Sequence, residues 1–427
     1  MSHYAVVAPP LYSHVRALQA LAQALMARGH RITFIQQADA AGLLNDPRIA
    51  FHPVGADSHP PGSLAHTLRL AANPAGPAIL RLIKDMAAST DMLCRTLPAA
   101  FHQLAVDGVI ADQMEPAGGL VAEALGLPFV SVACALPLNR EPGLPLPVMP
   151  FDYATDERAL TLYTSSQKIY DWMMRSHGRV LARHARAFGL PPRHGLHECL
   201  SPLAQISQTL PALDFPRQAL PPGFHAVGPL RAPATAAPSE HTWPADPARP
   251  LVYASLGTLQ GHRYGLFRTL ARACRSLDAQ LLVAHCGGLT PAQADSLYAC
   301  GATHVTDFAD QPAVLRQAQA VITHGGLNTV MDAVSSGTPI LAVPIAFDQP
   351  GVAARVVYHG IGRRVSRFAC RFTLADNLHL LLKEPGYRQQ MAPLSAQIQQ
   401  AGGALRAAAI VEQALYARQP VLAEAVS

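Results

Sequence analysis

The chain opens with a short apolar run, Tyr4–Ala8, closed by Pro9 and Pro10. Val15, Leu18, Leu21, Ala22 and Leu25 then recur at helical spacing, and Gly29 ends the helix. Arg31–Ile35 is a second apolar run. Strand, helix and strand in this order predict a βαβ unit, whose crossover demands a parallel sheet. The pattern returns as a strand at Gly108–Asp112, a helix at Ala117–Leu125 and a strand at Pro128–Ala133. It breaks at Arg231–Pro250, a proline-rich run with no apolar period. That run reads as a semi-rigid linker between domains, or as a long surface loop within one. Beyond it the alternation restarts. Leu251–Leu256, Gln280–His285, Ala320–Thr323 and Pro339–Pro344 read as strands, and Tyr264–Leu277 and Leu327–Ser335 as helices. The last forty residues are alanine-rich and helical in pattern.

This is an α/β chain of two doubly wound, Rossmann-like domains in tandem. The expected division is 1–230, a linker at 231–250, 251–400, and a helical segment at 401–427 that could cross back to the first domain. A ligand should bind beyond the carboxyl ends of the strands, in the cleft between the domains.

Composition narrows the classes. At 427 residues the chain is long enough for two domains. Half its residues are hydrophobic and 14% are charged, the reverse of a disordered chain. A net charge of +5 with no basic block argues against a nucleic-acid partner. Seven widely spaced cysteines, with no C-x-x-C, fit neither a disulfide framework nor a zinc ribbon, and point to a reducing cytoplasm. No signal peptide and no spanning segment is expected. Positive mean hydropathy and low charge leave room for peripheral membrane contact. The dinucleotide fingerprint G-x-G-x-x-G is missing after the first strand, and no P-loop occurs.

The candidate chemistry is densest from Phe308 to Gln349. The strand Val321–Thr323 ends in His324-Gly325-Gly326, and a helix begins near Leu327. Two glycines let a ligand approach the backbone, and the helix N-terminus offers free N–H groups to an anion. Asn328, Thr329 and His324 add side-chain donors. Asp332 projects a carboxylate suited to a ribose diol. Asp348 and Gln349 place an acceptor-only group beside a donor-acceptor group, as sugar hydroxyls require. Phe308 offers a flat face to a base.

This segment resembles the nucleotide-sugar signature of the inverting UDP-glycosyltransferases, which have the GT-B fold. The resemblance implies that Phe308 stacks on uracil and that Gln311 contacts the ribose region. It implies that His324, Gly326, Asn328 and Thr329 hold the diphosphate, Asp332 the ribose, and Asp348 and Gln349 the donor sugar. A closing Gln implies UDP-glucose as donor. Phe308 stands where the plant form has Trp, and Asp332 is one carbon shorter than the usual Glu. Ser255 and Thr258 occupy a small-residue turn that in the family lies near the donor phosphates. Ser13-His14 occupies the place of the family's catalytic His. A neutral imidazole there would take the proton of an attacking hydroxyl. The helix start lowers its pKa, whereas a carboxylate would raise it. Asp112, closing its strand, is the candidate partner, and Glu115 is the alternative.

Nearly the whole length further resembles glucosyltransferases of bacterial carotenoid pathways. That implies a hydrophobic carotenoid diol as acceptor, bound near the proline- and leucine-rich stretch Ala135–Phe151. No metal and no other cofactor is expected, since no D-x-D motif occurs. Three rivals stay open: the same chemistry on another lipophilic alcohol such as a macrolide or sterol, a nucleotide-sugar epimerase, and a UDP-sugar-binding subunit without catalysis.

Overall fold

The structure is a computed structural model that describes residues 1–232 and 243–423. Half of the proline-rich run, residues 233–242, therefore lies outside the described residues, as do the last four.

Two parallel sheets carry the fold. The first contains β1 (His3–Val7), β2 (Arg31–Gln36), β3 (Ala50–Pro53), β4 (Gly108–Asp112), β5 (Phe129–Ala133), β6 (Gln205–Ser207) and β7 (Phe224–Ala226). Their order across the sheet is β3-β2-β1-β4-β5-β6-β7. The second contains β8 (Leu251–Ser255), β9 (Gln280–Ala284), β10 (His304–Thr306), β11 (Ala320–Thr323), β12 (Ile340–Ala342) and β13 (Gly362–Arg364), in the order β10-β9-β8-β11-β12-β13. Both sheets reverse direction beside their first strand, between β1 and β4 and between β8 and β11. Each reversal opens a crevice at the carboxyl ends of two adjacent strands.

Both faces of each sheet are covered. Central strands of five residues, such as β1, β4, β5, β8 and β9, are buried along their whole length, as expected of continuous apolar runs in a parallel sheet. Helix Tyr12–Ala27 turns Val15, Leu18, Leu21, Ala22 and Leu25 into the first core.

The C-terminal helix Gly403–Ala417 joins that same core, through Ala407, Ile410, Val411, Ala414 and Leu415. Glu412 pairs with Arg28, and with His30 at 3.1 Å. The following residues run along the first sheet: Val421 N–H donates to the Leu203 carbonyl at 2.8 Å. The described chain thus leaves the second domain and packs back against the first.

Candidate active site

His14 lies in the first turn of the helix that follows β1, and Asp112 is the last residue of β4. The pairing of β1 with β4, and the turn that starts the helix after β1, bring them to one crevice. His14 Nδ1 lies 2.7 Å from Asp112 Oδ2, and both side chains are buried. Asp112 Oδ1 accepts the Met114 N–H at 2.8 Å, which fixes the carboxylate. With Nδ1–H donated to Asp112, Nε2 is left as the ring's lone-pair site. Burial works against a charge on His14. The Asp112 carboxylate, its hydrogen bond and the charge of Asp348 outweigh that, and raise the ring above the ordinary histidine value.

Glu115 is not the partner of His14. Its carboxylate accepts from the Thr90 hydroxyl at 2.9 Å and from the Ala117 N–H at 3.2 Å. Burial pushes it up to about 7, and the Asp112 charge adds to that. Thr90 Oγ1 also meets His177 Nε2 at 3.0 Å, and burial pushes His177 down to about 4. No motif signals this chain of Glu115, Thr90 and His177, which joins residues far apart in sequence.

The crevice of the second sheet is built by β8 and β11. β11 runs into His324-Gly325-Gly326, and helix Leu327–Ser336 begins with Gly326 as its N-cap. Gly325 has φ +82° and Gly257 has φ +72°, a region glycine enters without cost. Gly257 and Gly326 also pack against the His324 ring, where a Cβ on either would collide with its Cε1–Nε2 edge. Burial pushes His324 down to about 4, opposed only by a hydrogen bond with the Ser255 backbone. It is a neutral donor at neutral pH. Ser255 and Thr258 flank the same turn, and Thr258 is exposed to the cleft.

Phe308 is 62% exposed and lines the cleft. Gln311 and Asp332 are linked directly, Gln311 Nε2 donating to Asp332 Oδ2 at 2.7 Å. Thr329 Oγ1 lies 3.4 Å from Gln311 Oε1. Arg231 completes this group, and sequence reasoning missed it. Its Nε donates to Asp332 Oδ1 at 2.9 Å, and its guanidinium reaches Asn328 Oδ1 at 3.2 Å and the Asn328 carbonyl at 3.0 Å. The only signal for it was an isolated cation at the first position of the proline-rich run.

Asp348 reaches across the domain boundary. Its Oδ2 accepts the Leu136 N–H at 3.0 Å, and burial raises its pKa against that bond and the nearby His14. The preceding Phe347 has φ +57°, a strained value for a non-glycine residue, and lines the cleft. Gln349 departs from the sequence expectation. Its Oε1 accepts the Ile345 and Ala346 N–H groups at 2.9 and 2.8 Å. The carbonyl is therefore consumed in holding its own loop, and Gln349 offers a ligand only N–H donors. Helix Gln349–Tyr358 then packs so closely on the Pro147 carbonyl that only Gly fits at 351. Further along, Arg355 Nε donates to Asp214 Oδ1 at 2.6 Å, in a pair buried between the domains.

One cavity of about 650 Å³ collects these parts. His14, Leu136 and Pro147 lie on one wall, and Thr258, His324, Asn328, Asp332 and Asp348 on the other. Residues 199–400 match the family model described as UDP-glucoronosyl and UDP-glucosyl transferase. The zeaxanthin glucosyltransferase of Pantoea ananas is 60% identical, over 99% of this chain and 98% of its own.

The chain belongs to the UDP-glycosyltransferase family.

A second relative of this transferase, the zeaxanthin glucosyltransferase of Pseudescherichia vulneris, is 55% identical over 99% of this chain and the whole of its own. Among solved structures, the glycotransferase of kitacinnamycin aligns over 97% of this chain and 99% of its own, with TM-score 0.75 and 20% identity. The calicheamicin glycosyltransferase CalG4 aligns over 98% and 100%, with TM-score 0.73 and 19% identity. The fold of this transferase is GT-B, as the family resemblance implied.

A metal would find one cluster among the described residues. His14, Asp112 and Cys134 bring ligand atoms within 4.8 Å of one another. Two of these atoms are already hydrogen-bonded to each other, and burial raises the Cys134 thiol well above its ordinary value. Metals take the thiolate, so this set suits an ion poorly. Among the described residues, no helix is long and apolar enough to cross a membrane.

Proposed function

We propose that this transferase moves glucose from UDP-glucose to a ring hydroxyl of zeaxanthin, with inversion and without a metal. The near full-length likeness to two zeaxanthin glucosyltransferases supports the acceptor. The observation that carries the chemistry is a buried His14–Asp112 pair facing the turn His324–Thr329 across one cleft.

The acceptor hydroxyl donates to His14 Nε2. Its oxygen attacks the anomeric carbon of glucose as the bond from that carbon to the diphosphate oxygen breaks. The hydroxyl proton passes to His14, and Asp112 stabilises the imidazolium and holds the ring in the useful tautomer. The bonding pair leaves with UDP. The N–H groups at the start of helix Leu327–Ser336, with His324, Asn328 and Thr329, receive the growing negative charge, the role metals play in other transferases. Phe308 stacks on uracil, Gln311 and Asp332 hold the ribose, and Asp348 with the Gln349 amide holds glucose. Asp332 exchanges Arg231 for ribose hydroxyls as the nucleotide enters.

The acceptor lies along Leu136, Leu138, Pro147 and Val148, an apolar wall of the cleft. Both ends of zeaxanthin carry a hydroxyl, so a monoglucoside can return as a substrate and leave as a diglucoside. The protein works in the cytoplasm, at the inner face of the membrane that dissolves its acceptor.

UDP release from UDP-glucose with zeaxanthin in detergent tests this reading. Release should depend on zeaxanthin, and His14→Ala should lower it at least about a hundredfold. Binding of UDP without zeaxanthin-dependent release would overturn the acceptor.

A further inference from the structure

Helix Arg371–Lys383 buries one face, formed by Leu374, Ala375, Leu378 and Leu381, and Ala369 packs into the same core. Phe368 and Phe372 take no part in it. They are 80% and 64% exposed. Each ring is covered by its neighbouring guanidinium, Arg367 at 4.7 Å and Arg371 at 4.6 Å from the ring centre. Single exposed apolar residues are ordinary. Two phenylalanines in five residues, on a segment anchored so that they cannot turn inward, are not.

Arg263, the N-cap of helix Tyr264–Ser276, joins this group. Burial and the charge of Arg367 both lower its pKa, a sign of crowded like charge. Among the described residues, no carboxylate pairs with Arg263, Arg367 or Arg371. Arg263 instead donates to Gln260 Oε1 at 2.6 Å and to the Ala72 carbonyl at 3.1 Å. Ala72 ends a helix whose Ala71 lines the cleft, and Leu259, beside Gln260, lines it too. The group therefore stands at the rim of the cleft, where the two domains meet.

We propose that Phe368 and Phe372, with Arg263, Arg367 and Arg371, form the surface by which this protein rests on an anionic lipid bilayer. Exposed rings beside unneutralised guanidiniums match the boundary between acyl chains and anionic headgroups. A second copy of the chain is a poor occupant, because two rings cover far less than the roughly 800 Å² per partner of a stable interface. The inference rests on the carotenoid reading above. With a nucleotide sugar in the same cleft, a rigid forty-carbon polyene would extend past the rim. A bilayer at the rim would keep the remainder in lipid rather than water.

Sedimentation of the full chain with phosphatidylcholine vesicles, with and without phosphatidylglycerol, tests the surface without any acceptor. The anionic vesicles should bind the protein several-fold better, and less so at high salt. Phe368→Ser with Phe372→Ser should abolish most of the binding. Arg367→Gln and Arg371→Gln should each weaken it about fivefold and flatten its salt dependence. A second readout compares zeaxanthin presented in vesicles and in detergent. The double Phe variant should lose at least about tenfold activity with vesicles and none with detergent. Unchanged sedimentation of the variants would overturn the proposal, as would a loss of self-association in their place. Absence of wild-type activity in detergent would overturn the acceptor instead, and leaves the vesicle binding to be judged by itself.

Discussion

His14 and His324 come to one cleft from the two halves of the molecule. Each lies just past the carboxyl end of a strand that borders the sheet's reversal, β1 in one domain and β11 in the other. Each is near the same cleft. Their surroundings are opposite. His14 touches one carboxylate and feels a second, and its pKa is raised. His324 packs against two glycines, no carboxylate among the described residues shifts it, and burial pushes it down to about 4. The fold delivers an imidazole to the cleft twice, and the neighbours decide whether it becomes a base or a neutral donor.

The contrast makes its largest prediction in catalysis. His14→Ala should lower transfer at least about a hundredfold and leave UDP affinity within about twofold, measured by titration calorimetry. Equal damage to UDP binding would break the division of labour. Next, Asp112→Asn should lower kcat by roughly tenfold to a hundredfold by disturbing the tautomer. It should also move the acid limb of the kcat/KM profile to lower pH. The base works only when neutral, so with its pKa raised the wild-type limb should lie above the ordinary histidine value near 6.5. A limb that stays in place in the variant would show that Asp112 does not set it.

The reverse experiment is smaller. His324→Ala should weaken UDP binding by about tenfold, the worth of one hydrogen bond to a charged group, and leave the acid limb where it was. Proton NMR of the two rings sharpens the comparison: His14 should titrate above pH 6.5, and His324 should stay neutral until about pH 4.

The last effect concerns stability. Glu115 is raised to about 7 in the folded protein. A raised acid contributes stability that is fully present below its unfolded pKa and is lost as pH rises through the folded value. Wild-type stability should therefore decline between about pH 5 and pH 8. Glu115→Gln should remove up to about 3 kcal/mol of that decline in denaturant melts at the two pH values.

The same two crevices show how much the sequence discloses. Strands β4 and β11 match their expected bounds, since continuous apolar runs ended by Asp112 and His324 admit few alternatives. Short strands such as β10 and β13 escape, because three residues, most of them half-buried, make no period. The glycines and acids of Phe308–Gln349 are local in sequence, so their grouping was legible. Arg231 reaches Asp332 from 101 positions away, and Thr90, Glu115 and His177 meet only after three elements pack. Gln349 was read as a free amide because sequence does not show which backbone groups a side chain must satisfy. Its two loop N–H groups made the first claim on it.

The return of helix Gly403–Ala417 to the first domain has a consequence for synthesis. A ribosome releases the β1 region hundreds of residues before the helix that covers helix Tyr12–Ala27. During that interval Leu18, Leu21 and Leu25, which share a core with Val411 and Leu415, are one layer short of their final cover. The nascent first domain should therefore hold an open apolar seam and be the form that chaperones bind. A nonsense codon near residue 400 would spare every cleft residue named above and still leave the protein in that unfinished state.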